Sequence, residues 1–516
     1  MSNEKSTIER YDMLGWRVHL VFDPVLLNAE LVRKYIGHPV PSDGMMTFTQ
    51  VVTPGRYWRH IKCELGTPLM SFDAASPSPE ITVAKPFLSY LSCAFEKGTG
   101  VRKADVQEMT VTARNEAYAL FMSVPLDECV GHYTPEERVR LEVRRGAMRC
   151  ALGHMDRGTL DSRLGLAFSQ HFDALPDAER ALALNTVRRF PGSEWLVRPL
   201  RFYPRRLQGT STCILYIAFD ADESGRLPAS RDGATADEST LGVLKGLHTY
   251  IDGESIPKVG YRLNDFTSLA YLLFPESFIH CTDLRQVGNS YIFEGVFSDD
   301  RPAGHVAAEN TASIISHAEP LVTMTFAGKA DVLIKAHTPE ATVADWGFEG
   351  AHRGRLHAQG KECNYVPPVE QALVHDRNSQ KLEPPVLRSS LEFPVWTERV
   401  LYQLSPLPLA TTVVVKNANP THFFKLEKAG AKLRLTLWWA GKDGHEQVVD
   451  PAGTQWHVLA GNGHVNAAGD FTPGLLSRFS VLLAIEPDDK KWYWAVIIVP
   501  LPAMSVDEFI ALRESL

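Results

Sequence analysis

The sequence predicts an α+β fold that is multidomain, with mainly antiparallel sheets and packed helices. Three observations predict this class. Short stretches of alternating apolar and polar residues recur along the chain, as they do in half-buried strands. Turn-like gaps separate many of these stretches, which favours antiparallel pairing over long crossover connections. Helical spacing after capping residues adds helices that would cover the sheets.

The first region, residues 1–208, is expected to form an N-terminal α+β domain. A helix is predicted from residue 134 to about residue 155, because Pro135 suits a first helical turn and the acidic Glu136 and Glu137 suit its positive end. Alternating patterns predict strands over residues 16–23, 46–52 and 56–64.

The second region, residues 209–364, is expected to form a middle α+β domain. Its first strand, residues 213–219, leads into a polar loop and a helix over about residues 237–250. Close spacing predicts an antiparallel meander of strands over residues 278–283, 291–297, 321–326 and 332–337. The stretches 18–23 and 215–220 share an apolar pattern that ends in Asp, which suggests tandem related domains.

The third region is a connector followed by a last domain. Residues 365–396 contain five prolines and are predicted to be a stiff Pro-rich connector. Residues 397–516 are expected to form a C-terminal α+β domain that ends with strands over 478–485 and 492–499. A final helix should begin at Ser505, which forms a capping box with Glu508.

Composition and charge restrict the class of protein. The chain has 516 residues, of which 44% are hydrophobic and 22% charged, and it carries a formal net charge of -8. This balance disfavours binding to nucleic acid or anionic lipid unless a local patch overrides it. No signal peptide and no transmembrane segment is evident, and seven cysteines without a C-x-x-C pair predict free thiols. We therefore expect a soluble protein in the cytoplasm.

A pair of carboxylates follows the strand at residues 213–219. Asp220 and Asp222 are one residue apart at a strand end, a spacing that can hold a divalent cation. The motif resembles the first motif of the haloacid dehalogenase phosphatases. The resemblance implies Mg²⁺-dependent phosphoryl transfer with Asp220 as nucleophile and Asp222 as general acid and base. Lys245 and either Asp299 or Asp300 would support phosphate and Mg²⁺. The structural alternative is a polar, Asp-rich turn.

A basic and aromatic stretch lies between residues 188 and 206. Such a mixture suits stacking and phosphate pairing with single-stranded nucleic acid, or a surface that contacts another protein. The net negative charge of the chain favours the second interpretation. The candidate residues are Arg188, Arg189, Trp195, Arg198, Arg201, Tyr203, Arg205 and Arg206.

The sequence gives no convincing set of catalytic residues. It contains no G-x-S-x-G elbow, no P-loop and no H-E-x-x-H metal motif. The leading hypothesis is a non-enzymatic protein-binding protein, such as an adaptor, chaperone or antitoxin (immunity) protein that acts on a secreted effector or toxin. The alternatives are the Mg²⁺-dependent phosphatase and, third, nucleic-acid binding. No cofactor or metal is expected except Mg²⁺ under the phosphatase reading.

Overall fold

A computed structural model describes most of the chain from residue 14 to residue 516. The positions that it does not describe are 1–13, 23, 26, 30, 32–44, 54, 73–79, 99, 113–114, 127–128, 134–137, 155–159, 177–179, 187–196, 208–209, 220–246, 253–278, 288–289, 298–315, 339–343 and 405–407.

The predicted α+β class is wrong, because the protein is mostly β-sheet. Among the described residues, those in strands far outnumber those in helices. The first half of the described chain forms strands β1 Val18–Phe22, β2 Met45–Thr53, β3 Tyr57–Leu65, β4 Leu69–Phe72, β5 Glu80–Glu96, β6 Asp105–Thr112, β7 Asn115–Pro125, β8 Cys129–Tyr133, β9 Arg138–Val143, β10 Arg149–His154, β11 Leu160–Asp161, β12 Ala181–Thr186, β13 Val197–Leu207, β14 Thr210–Phe219, β15 Leu247–Asp252, β16 Ile279–Val287 and β17 Ser290–Phe297.

The second half is equally rich in strands. They are β18 His317–Glu319, β19 Val322–Phe326, β20 Val332–His337, β21 Trp346–Glu349, β22 Arg355–Gln359, β23 Glu362–Val366, β24 Val386–Leu387, β25 Val395–Tyr402, β26 Leu409–Lys416, β27 Phe423–Ala429, β28 Lys432–Ala440, β29 Glu446–Val448, β30 Gln455–Ala460, β31 His464–Val465, β32 Asp470–Thr472, β33 Ser480–Glu486 and β34 Lys491–Val499. Helix α1 spans Ser162–Ala174, and helix α2 spans Val506–Ser515.

The helix predicted near residues 134–155 is replaced by two strands. Residues 138–154 contain strands β9 and β10. Strand β9 ends before a turn at Gly146, whose φ is +79°, and β10 begins after this turn. In β9 the apolar Val139, Leu141 and Val143 alternate with charged residues, which is the period of a strand. This alternation outweighs the capping signal at Pro135, so the expectation of a packed helix here is wrong.

Contacts divide the chain into two compact units, each of which contains several stretches of sequence. Unit 1 is Met1–Gly44, Leu65–Pro86 and Tyr118–Ser313, and unit 2 is Met45–Glu64, Phe87–Ala117 and Ile314–Leu516. The four segments predicted from the sequence stay a prediction, because compactness alone does not show which stretches fold independently.

Unit 1 contains a nine-stranded antiparallel sheet in the order β12-β9-β8-β13-β14-β1-β15-β17-β16. The two stretches that suggested tandem domains are neighbours in it, since Val18 pairs with Ile217 and Phe22 pairs with Cys213. The shared pattern therefore belongs to adjacent strands of one sheet. Strands β7, β10 and β11 form a second antiparallel group, on which α1 packs closely at Gly165.

Unit 2 contains one larger sheet and three smaller ones. The Phe87–Glu96 part of β5 continues through β6, β19, β26 and β25 to β21, and the β2-β3 hairpin also pairs with β5. The smaller sheets are β18-β20-β23-β22, β24-β34-β33-β30 and β27-β28-β32-β31, with β29 beside β28. Strand β19 pairs in parallel with β26, so the predicted antiparallel meander is wrong for this strand.

The C-terminal elements agree with their sequence patterns. Strand β34 is buried from Trp494 to Val499 on both of its faces, as its apolar alternation predicts. Ser505 caps α2 by accepting a hydrogen bond from the backbone N–H of Glu508, so this half of the predicted capping box is confirmed. The carboxylate of Glu508 accepts hydrogen bonds from Lys62 Nζ at 3.0 and 3.3 Å. Phe509 of this helix is fully buried in the core of unit 2, which includes Trp494.

The proline-rich segment at residues 365–396 is an extended strap on unit 2. Its Val386 pairs with Trp492, and the guanidinium of Arg388 lies 4.1 Å from the centre of the Trp492 ring. Asp376 forms a salt bridge with Lys491 at 2.5 Å. The strap thus lies along β34 and completes the edge of that sheet.

Candidate functional site

The most exposed apolar side chains in the described chain lie on one loop of unit 2. This loop, residues 473–478, joins β32 to β33 and is called the leucine loop below. Leu475 is 99% exposed and Leu476 is 94% exposed. Single exposed leucines are common on protein surfaces, but two adjacent and almost fully exposed leucines are a feature that requires an explanation.

Both ends of the leucine loop are fixed in the hydrophobic core. Phe471 on one side is fully buried and Phe479 on the other is 6% exposed, and both belong to the main core of unit 2. Ser477 donates a hydrogen bond to the backbone oxygen of Phe479 at 2.5 Å. Gly474 packs so closely that a Cβ there would lie 2.2 Å from the backbone oxygen of Asn462. The loop is therefore held in one place.

The leucine loop ends in a positively charged residue. Arg478, at the end of the loop, is exposed. The nearest acidic residue in sequence is Asp470, and it accepts hydrogen bonds from Arg434 at 2.7 Å and from Asn466 at 3.2 Å. The bond from Arg434 is the main reason that the pKa of Asp470 is lowered. A partner of the loop thus meets two apolar side chains beside a positive charge.

A second candidate is a polar cluster that joins the strap to β33. The carboxylate of Glu486 accepts hydrogen bonds from Lys381 Nζ at 3.1 Å and from His422 Nε2 at 2.9 Å. The ammonium of Lys381 also lies 3.9 Å from the ring centre of Trp439 and 4.7 Å from that of Tyr493. Lys381 and His422 are both buried, whereas Glu486 is half-buried.

The pKa values in this cluster follow from burial and hydrogen bonding. Burial lowers the pKa of His422 and that of Lys381, because the charged forms lose solvent. The hydrogen bond from His422 lowers the pKa of Glu486 to about 2, with the charge of Lys381 contributing further. The cluster therefore holds an ionised carboxylate and a neutral imidazole near pH 7.

Thr421, His422 and Glu486 are hydrogen-bonded in the order of a hydrolytic triad, but the Thr421 hydroxyl is buried. The Thr421 hydroxyl lies 2.8 Å from His422 Nδ1 and accepts the backbone N–H of Trp494 at 3.0 Å, so it donates to the imidazole. His422 in turn donates to Glu486. Thr421 is 4% exposed, and a nucleophile must reach its substrate. The arrangement fits a brace between strands.

Most of the candidate residues from the sequence lie outside the described part. These are Asp220, Asp222, Lys245, Asp299, Asp300, Arg188, Arg189 and Trp195. Arg198, Arg205 and Arg206 lie in β13, but their side chains are outside the description. Arg201 is half-buried and Tyr203 is buried in the same strand. The phosphatase site and the basic surface both stay predictions.

Three further observations on the described residues concern metal ligands, membrane-spanning helices and cysteines. Among these residues, no group of three or more His, Cys, Asp and Glu side chains could hold a metal ion. Within the same part of the chain, no helix is long and apolar enough to cross a membrane. Cys63, Cys93, Cys150 and Cys363 are free and buried, as the spacing of the cysteines predicted.

The sequence contained a signal for the leucine loop that composition alone did not reveal. Leu475 and Leu476 follow Pro473-Gly474 and precede Ser477-Arg478, so an apolar pair stands among turn-forming residues. An apolar pair among turn-forming residues belongs to no strand or helix period, so periodicity does not assign these two leucines to a buried face.

Comparisons with known proteins give no functional guide. No family model matches the sequence, and no curated protein matches it. The chain is similar to the solved structure of P47 from Clostridium botulinum A2, at 8% identity and a TM-score of 0.29, over 98% of this chain and 85% of that chain. The chain also matches two structures of human protocadherin-24 EC1-2, each over 36% of this chain, at 7% identity and a TM-score of 0.14. The matches cover 97% of one protocadherin chain and 94% of the other. Likenesses this weak carry no argument.

Proposed function

We propose that this chain is a non-enzymatic protein-binding protein of adaptor, chaperone or antitoxin type, and that the leucine loop inserts into a nonpolar pocket of its partner. The observation that carries the proposal is the exposure of Leu475 and Leu476, at 99% and 94%. Burying a leucine side chain on association contributes roughly 1.5–3 kcal/mol, so a pocket that accepts both gains a large part of a binding free energy.

The fixed ends of the loop support the same function. Association is weakened when a flexible segment must become ordered, and a loop that is already held loses little conformational entropy. Phe471 and Phe479 hold the two ends, and the close contact of Gly474 with Asn462 holds the middle. The loop therefore presents its leucines in a preformed arrangement, which favours a specific pocket over non-specific adhesion.

The positive charge beside the leucines indicates which charge the partner should carry near its pocket. Arg478 is exposed at the end of the loop, and Asp470 is paired with Arg434. Complementary potentials fix the orientation of two proteins and exclude wrong partners. The proposed partner is a protein whose nonpolar pocket has an acidic residue at its rim.

The test compares capture by three forms of the full chain. The wild-type protein, the Leu475→Ser/Leu476→Ser variant and a Val369→Ser control are used as baits in lysate of the native organism. Val369 is a matched control because it is 84% exposed but lies on the strap. A protein retained by the wild type and the control is then purified, and its affinity for each bait is measured by calorimetry.

The proposal predicts direct 1:1 binding that the control keeps and the double leucine variant loses. It is overturned if the double variant retains the partner at wild-type affinity. It is also overturned if the leucines mediate binding to phosphatidylglycerol vesicles or dimerisation of this chain, measured by sedimentation, with no protein partner retained.

A further inference from the structure

The ammonium of Lys381 lies in a cage of two aromatic rings, a carboxylate and an imidazole. Its Nζ atom is 3.9 Å from the ring centre of Trp439 and 4.7 Å from that of Tyr493. The same atom donates a hydrogen bond to Glu486 at 3.1 Å and lies 3.5 Å from His422 Nε2. These four surrounding side chains come from β28, β34, β33 and the segment between β26 and β27, and they are called the ammonium cage below.

The ammonium cage differs from a surface contact between a cation and a ring. Lys425 lies over the ring of Trp438 at 3.8 Å, but the Lys425 side chain is 40% exposed. Lys381 is only 9% exposed and lies against rings from two different strands. The attraction between a cation and an aromatic face is stronger where water is excluded. Two rings beside a carboxylate therefore form a favourable site for a cation.

Lys381 enters the ammonium cage from a surface segment of the strap. Among residues 374–384, the Lys381 side chain is the one that is buried. The segment is held by backbone hydrogen bonds from Leu382 N–H to the Ala440 oxygen at 2.8 Å and from Lys442 N–H to the Gln380 oxygen at 2.9 Å. Its Leu382 side chain is 50% exposed. Displacement of this segment would therefore remove few apolar contacts and would open the cage.

The chemistry of the cage suits a quaternary ammonium better than the primary ammonium of lysine. A lysine ammonium is strongly hydrated, so its burial is costly, and burial accordingly lowers the pKa of Lys381. A quaternary ammonium has no N–H groups that need acceptors, and aromatic cages bind it through its charge. The hydrogen bond from His422 is the main reason that the pKa of Glu486 is lowered to about 2, so this carboxylate supplies a negative charge.

We propose that the ammonium cage is a binding site for a quaternary ammonium group, from free choline or from a choline headgroup, and that Lys381 is the built-in occupant which this ligand displaces. The ligand cation takes the place of the Lys381 ammonium between Trp439 and Tyr493, beside Glu486. Its apparent affinity is reduced by the fraction of molecules in which the strap is closed. This inference is independent of the leucine loop and its partner.

The test is thermal unfolding of the full chain in choline chloride and in sodium chloride at equal ionic strength. The forms compared are the wild type, Lys381→Ala, which removes the occupant, and the control Lys425→Ala. Lys425 is a matched control because it also contacts a tryptophan ring and a carboxylate, but is more exposed. Two further probes are n-butylammonium, which resembles the removed lysine side chain, and glycerophosphocholine, which carries a choline headgroup.

The expected result is a saturable rise in the Tm of Lys381→Ala with choline. The wild type and Lys425→Ala should show the same rise with an apparent affinity weaker by about tenfold or more, because the strap must open first. Trp439→Leu should abolish the response, both alone and combined with Lys381→Ala, since one aromatic wall is lost. Tighter binding of choline than of glycerophosphocholine assigns the site to the free cation, and the reverse order assigns it to the headgroup.

Four outcomes would overturn the proposal. The first is a Tm of Lys381→Ala that responds equally to choline and sodium. The second is a response to n-butylammonium without one to choline, which would show that the cage accepts only lysine. The third is an undiminished choline response after Trp439→Leu, in the wild-type background if Lys381→Ala does not fold. The fourth is a wild type that shows no response at about 100 times the choline concentration that saturates Lys381→Ala, because the strap then does not open.

Discussion

The imidazole of His422 donates a hydrogen bond to the carboxylate of Glu486 across 2.9 Å, and this contact links two separate segments of unit 2. Lys381 of the strap binds the same carboxylate oxygen. One carboxylate therefore holds a strand end, a buried histidine and the proline-rich segment together. Two predictions follow from this cluster of Lys381, His422 and Glu486. One concerns the pH dependence of the free energy of unfolding, and the other concerns the contribution of the Lys381–Glu486 ion pair to it.

The first prediction concerns acid stability. The pKa of His422 and that of Glu486 are both lower in the folded protein than in the unfolded chain, so the unfolded chain binds protons first as the pH falls. Stability from His422 is lost as the pH falls below about 6.5. Stability from Glu486 is lost as the pH falls from about 4.5 towards 2. Urea unfolding between about pH 7 and pH 3 measures both losses.

Replacement of the histidine separates the two contributions. His422→Gln removes the group that titrates near neutral pH, so the loss of stability between about pH 7 and pH 5 should become smaller. The control His445→Gln changes an exposed histidine and should follow the wild-type curve. Parallel curves for the wild type and His422→Gln would contradict the role of this histidine.

The second prediction concerns the ion pair itself. Glu486→Gln leaves the Lys381 ammonium among aromatic rings without a carboxylate, so we expect a loss of about 1–3 kcal/mol in the free energy of unfolding. Lys381→Met keeps the hydrogen bond between His422 and Glu486 and should cost less. Chemical denaturation of the two variants and their double variant gives the coupling energy. A coupling near zero would show that the pair contributes nothing measurable.

The third prediction concerns the rigidity of the leucine loop. A Cβ at position 474 would lie 2.2 Å from the Asn462 backbone oxygen, so Gly474→Ala must displace the loop. We expect a stability loss of about 1–3 kcal/mol and weaker partner binding. Gly453→Ala is the matched control, because a Cβ there meets no atom within 4 Å. Equal effects of the two substitutions on stability and binding would contradict the account of the loop.

The fourth prediction concerns the C-terminal helix. Phe509 is fully buried, so Phe509→Ala should lower the free energy of unfolding of unit 2 by about 3–5 kcal/mol. Ser505→Ala removes only the cap on the Glu508 N–H and should cost about 1 kcal/mol. Denaturant unfolding followed by tryptophan fluorescence reports both. A larger loss for Ser505→Ala than for Phe509→Ala would mean that packing is not the main stabilising term.

Local patterns predicted individual strands well because each strand carries its own period. Strand β20 begins and ends where the alternation of residues 332–337 placed it, and the Ser505 cap is local chemistry. The fold class was wrong where two local signals conflicted, as at Pro135 and the alternating β9. Strand pairing was harder to predict, since the neighbours of β19 come from residues 105–112 and 409–416, far away in the sequence.

The site could be predicted only in part for the same reason. Exposure of Leu475 depends on the buried Phe471 and Phe479 that hold the loop, and Lys381 reaches Glu486 across 105 positions of sequence. Neither relationship has a periodic signature in the chain. The motif at Asp220 and Asp222 was visible because only one residue separates the two carboxylates. The predicted phosphatase site also requires Lys245 and Asp299 or Asp300, and a local pattern does not show whether such distant residues come together.

The most direct test of the central claim is the affinity of the purified partner for wild-type protein and for Leu475→Ser/Leu476→Ser. Loss of two buried leucines should weaken the dissociation constant by about 100-fold or more, while the free energy of unfolding stays within about 0.5 kcal/mol, because both side chains are exposed in the free protein. A dissociation constant within about threefold of the wild-type value would contradict the proposal that the leucine loop binds the partner.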